Sequence, residues 1–474
     1  MPANSYVSTS PLLAGTGRSD ITPAPGTPQG GWGAQLHERG TGADMPLYVT
    51  ALALEQNGKR ILILDADAIG FDAYWTQKIL DTTASLTRVP VSCIRFSTSH
   101  THSGPNTFRL KNITVGLDMA MEYLEGLPNR IAGTAWQALR TLKPVRIGAA
   151  SGECFINRNR RVTTPQGECV VGVNEEAPSD PRLITLRLDD EDGNTLATII
   201  NYACHPTTVG WQSDRFTPDF PGPARQVVEQ QIGGRCLFLQ GASGDLGPRR
   251  GFTGALSVYR RLGHELGLAA ASLAVGIDTQ PLTAHFTSVM PSGANIAQYE
   301  YEPVVVAPPV CEMLTRTVYL PLRTFPAKDI PAAEFEALSK EVLRLKEAGE
   351  QHTAQLIQAK ATQMGWRLEN AVRYGGQRET AWPMQVIRIG FIALVSIAGE
   401  PFSSIGKRIR EASPFPLTLV SGYSNGGFGY IPDRQAFGEG GYEVEATPFS
   451  SDAADVVVDE ALKALTELFQ KEPA

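Results

Sequence analysis

An α/β fold with a mixed β-sheet core and flanking helices is what this sequence predicts, on three observations. Pairs of β-rich runs meet at tight-turn sequences, amphipathic helical stretches alternate with them, and five polar, Gly/Pro-rich loops each follow an apolar strand-like run. The hairpins are the plainest signal. LYVTALALE (47–55) and RILILDA (60–66) flank Gln56-Asn57-Gly58-Lys59, whose Asn-Gly pair suits the positive φ of a hairpin turn. The pattern recurs at 183–188 and 195–203 around Asp190-Glu191-Asp192-Gly193-Asn194, and at 384–389 and 391–397, which meet at Gly390.

Helical periodicity runs through 70–88, 118–142, 221–232, 253–276, 402–412 and 451–470. Residues 331–371 carry a long charged helical pattern broken near Gly349. It reads as a helical hairpin inserted on the outside of the domain, and as a contact surface for a homo-oligomer. Hairpins interrupt the alternation, which favours a mixed sheet over a regular barrel or doubly wound fold. No Ser/Gly or Pro linker divides the chain. Residues 290–312 come nearest, but they lie between elements of one core, and no internal repeat is legible. A single domain over 12–470 is expected.

Of the 474 residues, 42% are hydrophobic and 19% charged, the profile of a globular protein with a large core. The 46 glycines and 33 prolines exceed the usual share of about 12%, which implies tight turns and long loops. The net charge of -7 and the absence of a basic block argue against nucleic acid or an anionic membrane as a partner. The N-terminus lacks the basic and apolar regions of a signal peptide, and no apolar run reaches the roughly 18 residues of a spanning helix. Six scattered cysteines without a C-x-x-C pair read as reduced residues. A cytoplasmic protein with no stable membrane association is the expectation.

Chemistry concentrates in the five loops: STSHTHSGPN (97–106), NYACHPTTVG (201–210), LQGASGDLGPR (239–249), IAGEPFSS (397–404) and SGYSNGGFGYIPDR (421–434). They hold three of the seven histidines, His100, His102 and His205. A His-x-His pair leaving a strand turns both imidazoles to one side, which suits a metal, although hydrogen-bonded loop histidines would look the same. Glu400 ends the apolar run FIALVSIAGE, either facing a site or capping the helix from Phe402, where Asp is the preferred cap. Asp67 is read as the cap of the helix at 70–88. The GASGDLGPR loop has neither a P-loop ending nor a nucleophile elbow, and His264-Glu265 does not open an H-E-x-x-H helix. His37, His264, His285 and His352 are read as structural or surface residues.

Seven motifs in order carry a resemblance: T-G-R-S-D-I-T-P (16–23), S-T-S-H-T-H-S-G-P (97–105), I-N-R (156–158), H-P-T (205–207), Q-G-A-S-G-D-L-G-P (240–248), G-E-P-F (399–402) and S-N-G-G-F-G-Y-I-P (424–432). Together, from about residue 12 to about 450, they resemble the catalytic domain of the neutral, non-lysosomal ceramidases. The resemblance implies one zinc ion per chain held by His100, His205, Glu400 and Tyr430, with His102, Arg158 and Tyr442 lining the site. His102 would then handle protons, and Arg158 and Tyr442 would donate to the developing oxyanion. Asp245 and Gly247, in G-D-L-G-P, fall on the family's substrate-side loop, where Gly247 replaces a serine. Pro432-Asp433-Arg434 also departs from the family pattern, and no counterpart of the family's C-terminal β-sandwich is expected. The implied activity is zinc-dependent hydrolysis of an N-acyl or other small linear amide. An ester or lactone hydrolase and a non-catalytic metal- or ligand-binding homologue are the alternatives.

Overall fold

A computed structural model of the chain describes residues 10–35, 37–108, 110, 113, 115–426 and 429–471. The segment tested above for a signal peptide, through residue 9, and Gly427-Phe428 of the last motif lie outside these residues. Among them, no helix is long and apolar enough to cross a membrane, and all six cysteines are unbridged.

The alternating runs form three large sheets, built to one plan, beside smaller ones of two or three strands. In each large sheet, a first strand pairs antiparallel with a second, the second with a third, and a fourth joins the third in parallel. The strands are Leu13–Asp20, Tyr48–Gln56, Lys59–Ala66 and Ile94–Thr98 in the first sheet, which also carries the short strand Lys143–Pro144 on its edge. They are Arg146–Glu153, Arg182–Asp189, Thr195–Tyr202 and Arg235–Gln240 in the second, and Cys311–Pro321, Glu379–Ile389, Ile392–Ile397 and Leu417–Ser421 in the third. One helix connects the third strand to the fourth and another follows the fourth: Ala73–Thr87 and Leu117–Arg140, Pro221–Ile232 and Leu256–Val275, Ser403–Ala412 and Ala453–Gln470. A β-β-β-α-β-α unit thus occurs three times, a repetition that the sequence, read as free of internal repeats, did not reveal.

One core joins the sheets. Leu52, Leu54 and Ile63 of the first pack with Leu186, Ile199 and Leu237 of the second and Ile387, Leu394 and Leu419 of the third. The helix pairs cover the outer faces, each over its own apolar cluster. The predicted hairpins form at the predicted turns, with Asn57 at φ 52° and Gly58 at φ 74°. The charged stretch forms two helices, Asp329–Glu347 and Gln351–Tyr374, turning at Gly349. One capping assignment changes. Asp72, not Asp67, caps Ala73–Thr87 by accepting from the Trp75 N–H. Asp67 instead accepts from Arg225, 2.5 Å away in a buried cluster with Asp65. The segment read as nearest to a linker is half of a second kind of hairpin, Leu282–Met290 with Ile296–Pro303, exposed along both strands.

Candidate metal centre

The parallel strands of the three units end side by side, and their loops meet. A buried guanidinium ties the first unit to the third, Arg95 donating to Ser97, Ser396 and Ser421. His100 leaves the fourth strand of the first unit, His205 the third strand of the second, and Glu400 the third strand of the third. Tyr430 follows the fourth strand of that unit. It pairs in parallel register with Glu400, through the two-residue strands Glu400–Pro401 and Tyr430–Ile431, so the two residues stand side by side.

Each of the three loop histidines has Nδ1 against a backbone carbonyl: His100 on Ile69 at 2.5 Å, His102 on Gly31 at 2.9 Å and His205 on Ser243 at 3.0 Å. A carbonyl only accepts, so Nδ1 carries a proton in every ring, which leaves Nε2 as the nitrogen that can face a metal. This is the arrangement that orients imidazoles for a metal. Nitrogens of the three rings lie within 4.8 Å of one another. Glu400 Oε2 sits 3.5 Å from His100 Nε2 and 3.4 Å from His205 Nε2. Neither that oxygen nor His205 Nε2 has a hydrogen-bond partner, although both are buried. Buried polar atoms are rarely left so unless something else binds them. Burial, then Arg160 and the other two imidazoles, holds the His205 pKa well below its ordinary value, so the ring is neutral as a ligand must be. The donor set fits a metal ion.

Backbone strain marks the same spot. His100 has φ 67° and Tyr423 φ 56°, and their rings lie 4.3 Å apart. Bulky residues in this region cost of order 1–3 kcal/mol and cluster at functional sites. The Tyr423 hydroxyl is 3.0 Å from Ser243 Oγ and 3.4 Å from His205 Nδ1, on the side of the ring away from Nε2. Tyr423 was not singled out from the sequence, although it stands in the last of the five loops.

The other expected residues divide. The Tyr442 ring lies 5.3 Å from that of Tyr430 and 5.3 Å from that of Trp366 on the helical pair. Arg158 turns away, its guanidinium pairing with Glu175 at 2.6 Å and capping the carbonyls of Phe155 and Asn157. The arginine over Tyr430 is Arg160, 5.4 Å from the ring centre and bound to Glu443 at 2.9 Å. A register shift between Asn159 and Arg161 lets Arg160 and Arg161 both reach the buried Glu443. Asp245 accepts from the backbone and hydroxyl of Ser403, at 2.6 and 2.7 Å, so it serves the helix start that Glu400 had been considered for. Gly247 lies in strand register with Arg158, and a β-carbon there would stand 3.5 Å from that of Arg160.

An aromatic wall completes the surroundings. The ring of Trp32 lies 5.0 Å from His102, 6.0 Å from Trp211 and 5.6 Å from Phe252. A small cavity lined by Phe71, Phe96 and Tyr423 reaches His100 and Glu400. A larger one of about 690 Å³, polar and lined by Asp180, Arg410 and Asp433, touches none of the histidines.

No protein-family profile matches the chain, and no curated protein does. Among solved structures, the neutral ceramidase from Pseudomonas aeruginosa is similar, with a TM-score of 0.69 and 18% identity over 98% of this chain and 76% of that one. A ceramidase complexed with C2 gives a TM-score of 0.67 and 17% identity over the same shares. At these identities the likeness is one of architecture, and it extends over nearly the whole chain: the protein has the neutral ceramidase fold.

Proposed function

We propose that the protein is a zinc-dependent amidohydrolase acting on an N-acyl or other small linear amide. The observation that carries this reading is the convergence of three imidazoles, each with Nδ1 fixed by a carbonyl, two of which, the buried His100 and His205, meet the unpartnered Glu400 oxygen. His100, His205 and Glu400 would hold the ion, with Tyr430 as the fourth ligand on the strength of the family resemblance. Bound there, zinc supplies Lewis-acid polarisation of a carbonyl and makes water a nucleophile near neutral pH.

The chain's own residues do the rest. His102, its Nδ1 donating to Gly31, presents Nε2 for a proton and can return it to the leaving amine. Arg160 fixes Tyr430 from its open face and is itself fixed by Glu443. Trp32, Trp211 and Phe252 form an apolar wall beside His102, suited to an acyl chain or ring. Metal analysis should find one zinc per chain in the wild type and none in His205→Ala. In His102→Ala the metal should stay while turnover of N-acyl amines is lost. Undiminished hydrolysis in chelated, metal-free enzyme would overturn the reading. Turnover of matched esters in preference to amides would assign the protein to ester hydrolysis.

A further inference from the structure

We propose that the exposed hairpin Leu282–Met290/Ile296–Pro303 is a dimerisation arm whose apolar face packs on a second copy of this chain. Residues of a strand alternate between faces, and the cross-strand pairs fix which share one. Leu282, Ala284, Phe286 and Val289 lie opposite Pro303, Tyr301, Tyr299 and Ala297, so all eight form one apolar face. Thr283, His285 and Ser288 lie opposite Glu302, Glu300 and Gln298 on the other. Apart from the register shift between Phe286 and Ser288 and the Met290–Ile296 pair beside the turn, which lies on the polar face, this alternation is the pattern of a strand with one face buried. Yet every residue of both strands is exposed, Phe286 by 60% and Tyr301 by 63%. An uncovered two-stranded hairpin is marginal in water, so its order calls for a partner.

Area and charge point to a second copy. Leu282, Phe286, Val289, Tyr299 and Tyr301, with Val304, Val305 and Val306 directly after, are all large, apolar and exposed. At roughly 100 Å² each they offer about 800 Å² per protomer, the size of a standard stable interface. A single sticky face backed by Glu300 and Glu302 is satisfied by one symmetric pairing, which closes and does not polymerise. The same carboxylates, and the unpaired edges of a two-stranded ribbon, make entry into a bilayer unfavourable.

The test is light scattering on the purified full-length chain at low-micromolar concentration. Wild type should show twice the 51.1 kDa chain mass. Phe286→Glu/Tyr299→Glu/Tyr301→Glu should show one chain mass, with unchanged circular dichroism and metal content. Gln298→Lys, on the opposite face, should remain a dimer. A monomeric wild type overturns the proposal, and its co-flotation with phosphatidylcholine vesicles would assign the face to lipid. A triple variant that stays dimeric also overturns it, since the copies then meet elsewhere. Loss of dimerisation with activity and metal intact would leave the hydrolase reading untouched, so the two stand or fall separately.

Discussion

Replacing Glu400 by glutamine should make the metal-free protein more stable while destroying its response to zinc. Without an ion and with both imidazoles neutral, their protons held on Nδ1 by carbonyls, Glu400 Oε2 faces the lone pairs of His100 Nε2 and His205 Nε2 at 3.5 and 3.4 Å. A buried acceptor left without a donor costs about 1–3 kcal/mol, more when it is charged. A glutamine amide removes the charge and can donate to an imidazole. Metal-free Glu400→Gln should therefore exceed metal-free wild type by about 1–3 kcal/mol. Wild type, in turn, should gain about 2.7 kcal/mol at a zinc concentration a hundred times Kd, and the variant much less. Thermal and denaturant unfolding, in chelator and in graded zinc, measure both quantities. A metal-free variant less stable than metal-free wild type, or equal zinc shifts in the two proteins, would refute the reasoning.

Three further outcomes follow from the same structure. Arg158→Ala breaks a partly exposed pair and two carbonyl contacts and should cost about 1–2 kcal/mol, with activity near wild type, whereas Arg160→Gln opens a buried cluster and should cost about 3–5 kcal/mol and most of kcat/KM. Gly247→Ser has room against Arg160 and should fold within about 0.5 kcal/mol of wild type by denaturant titration; its turnover of ceramide against short N-acyl amines reads what that hydroxyl adds. Burial lifts the Asp245 carboxyl to about 6, above the roughly 3.9 of an unfolded chain, so the stability from this group is full below about pH 4 and lost as pH rises through 6. Asp245→Asn should flatten the stability profile between those limits, and an unchanged slope would contradict it.

Much of the fold was legible because its signals are local. Asn57-Gly58 specifies a turn, and apolar spacing specifies helices, whatever surrounds them. His100, His102, His205 and Glu400 stood out because polar residues in Gly/Pro-rich loops after apolar strands have few other roles. The threefold plan was hidden because each unit needs only the same alternation and connection lengths, which different residues supply equally well. Arg160 was missed for a tertiary reason. In a regular strand residues 158 and 160 share a face, and only the register shift beside them separates their directions. The hairpin at 282–303 did carry a readable alternation, but its turn lacks an Asn-Gly pair and it borders a Pro-rich stretch.

The three units also differ in a telling way, in what each inserts between its first and second strands. The first insertion brings Trp32 to the site, the second Arg160, and the third the helical pair with Trp366. The four proposed ligands come from none of these insertions; they hang on the strand ends of the shared scaffold. On the proposed function, reaction and recognition would then fall to separate stretches of chain. A relative could exchange one insertion for another, acquire a new appetite for substrate, and keep its chemistry intact.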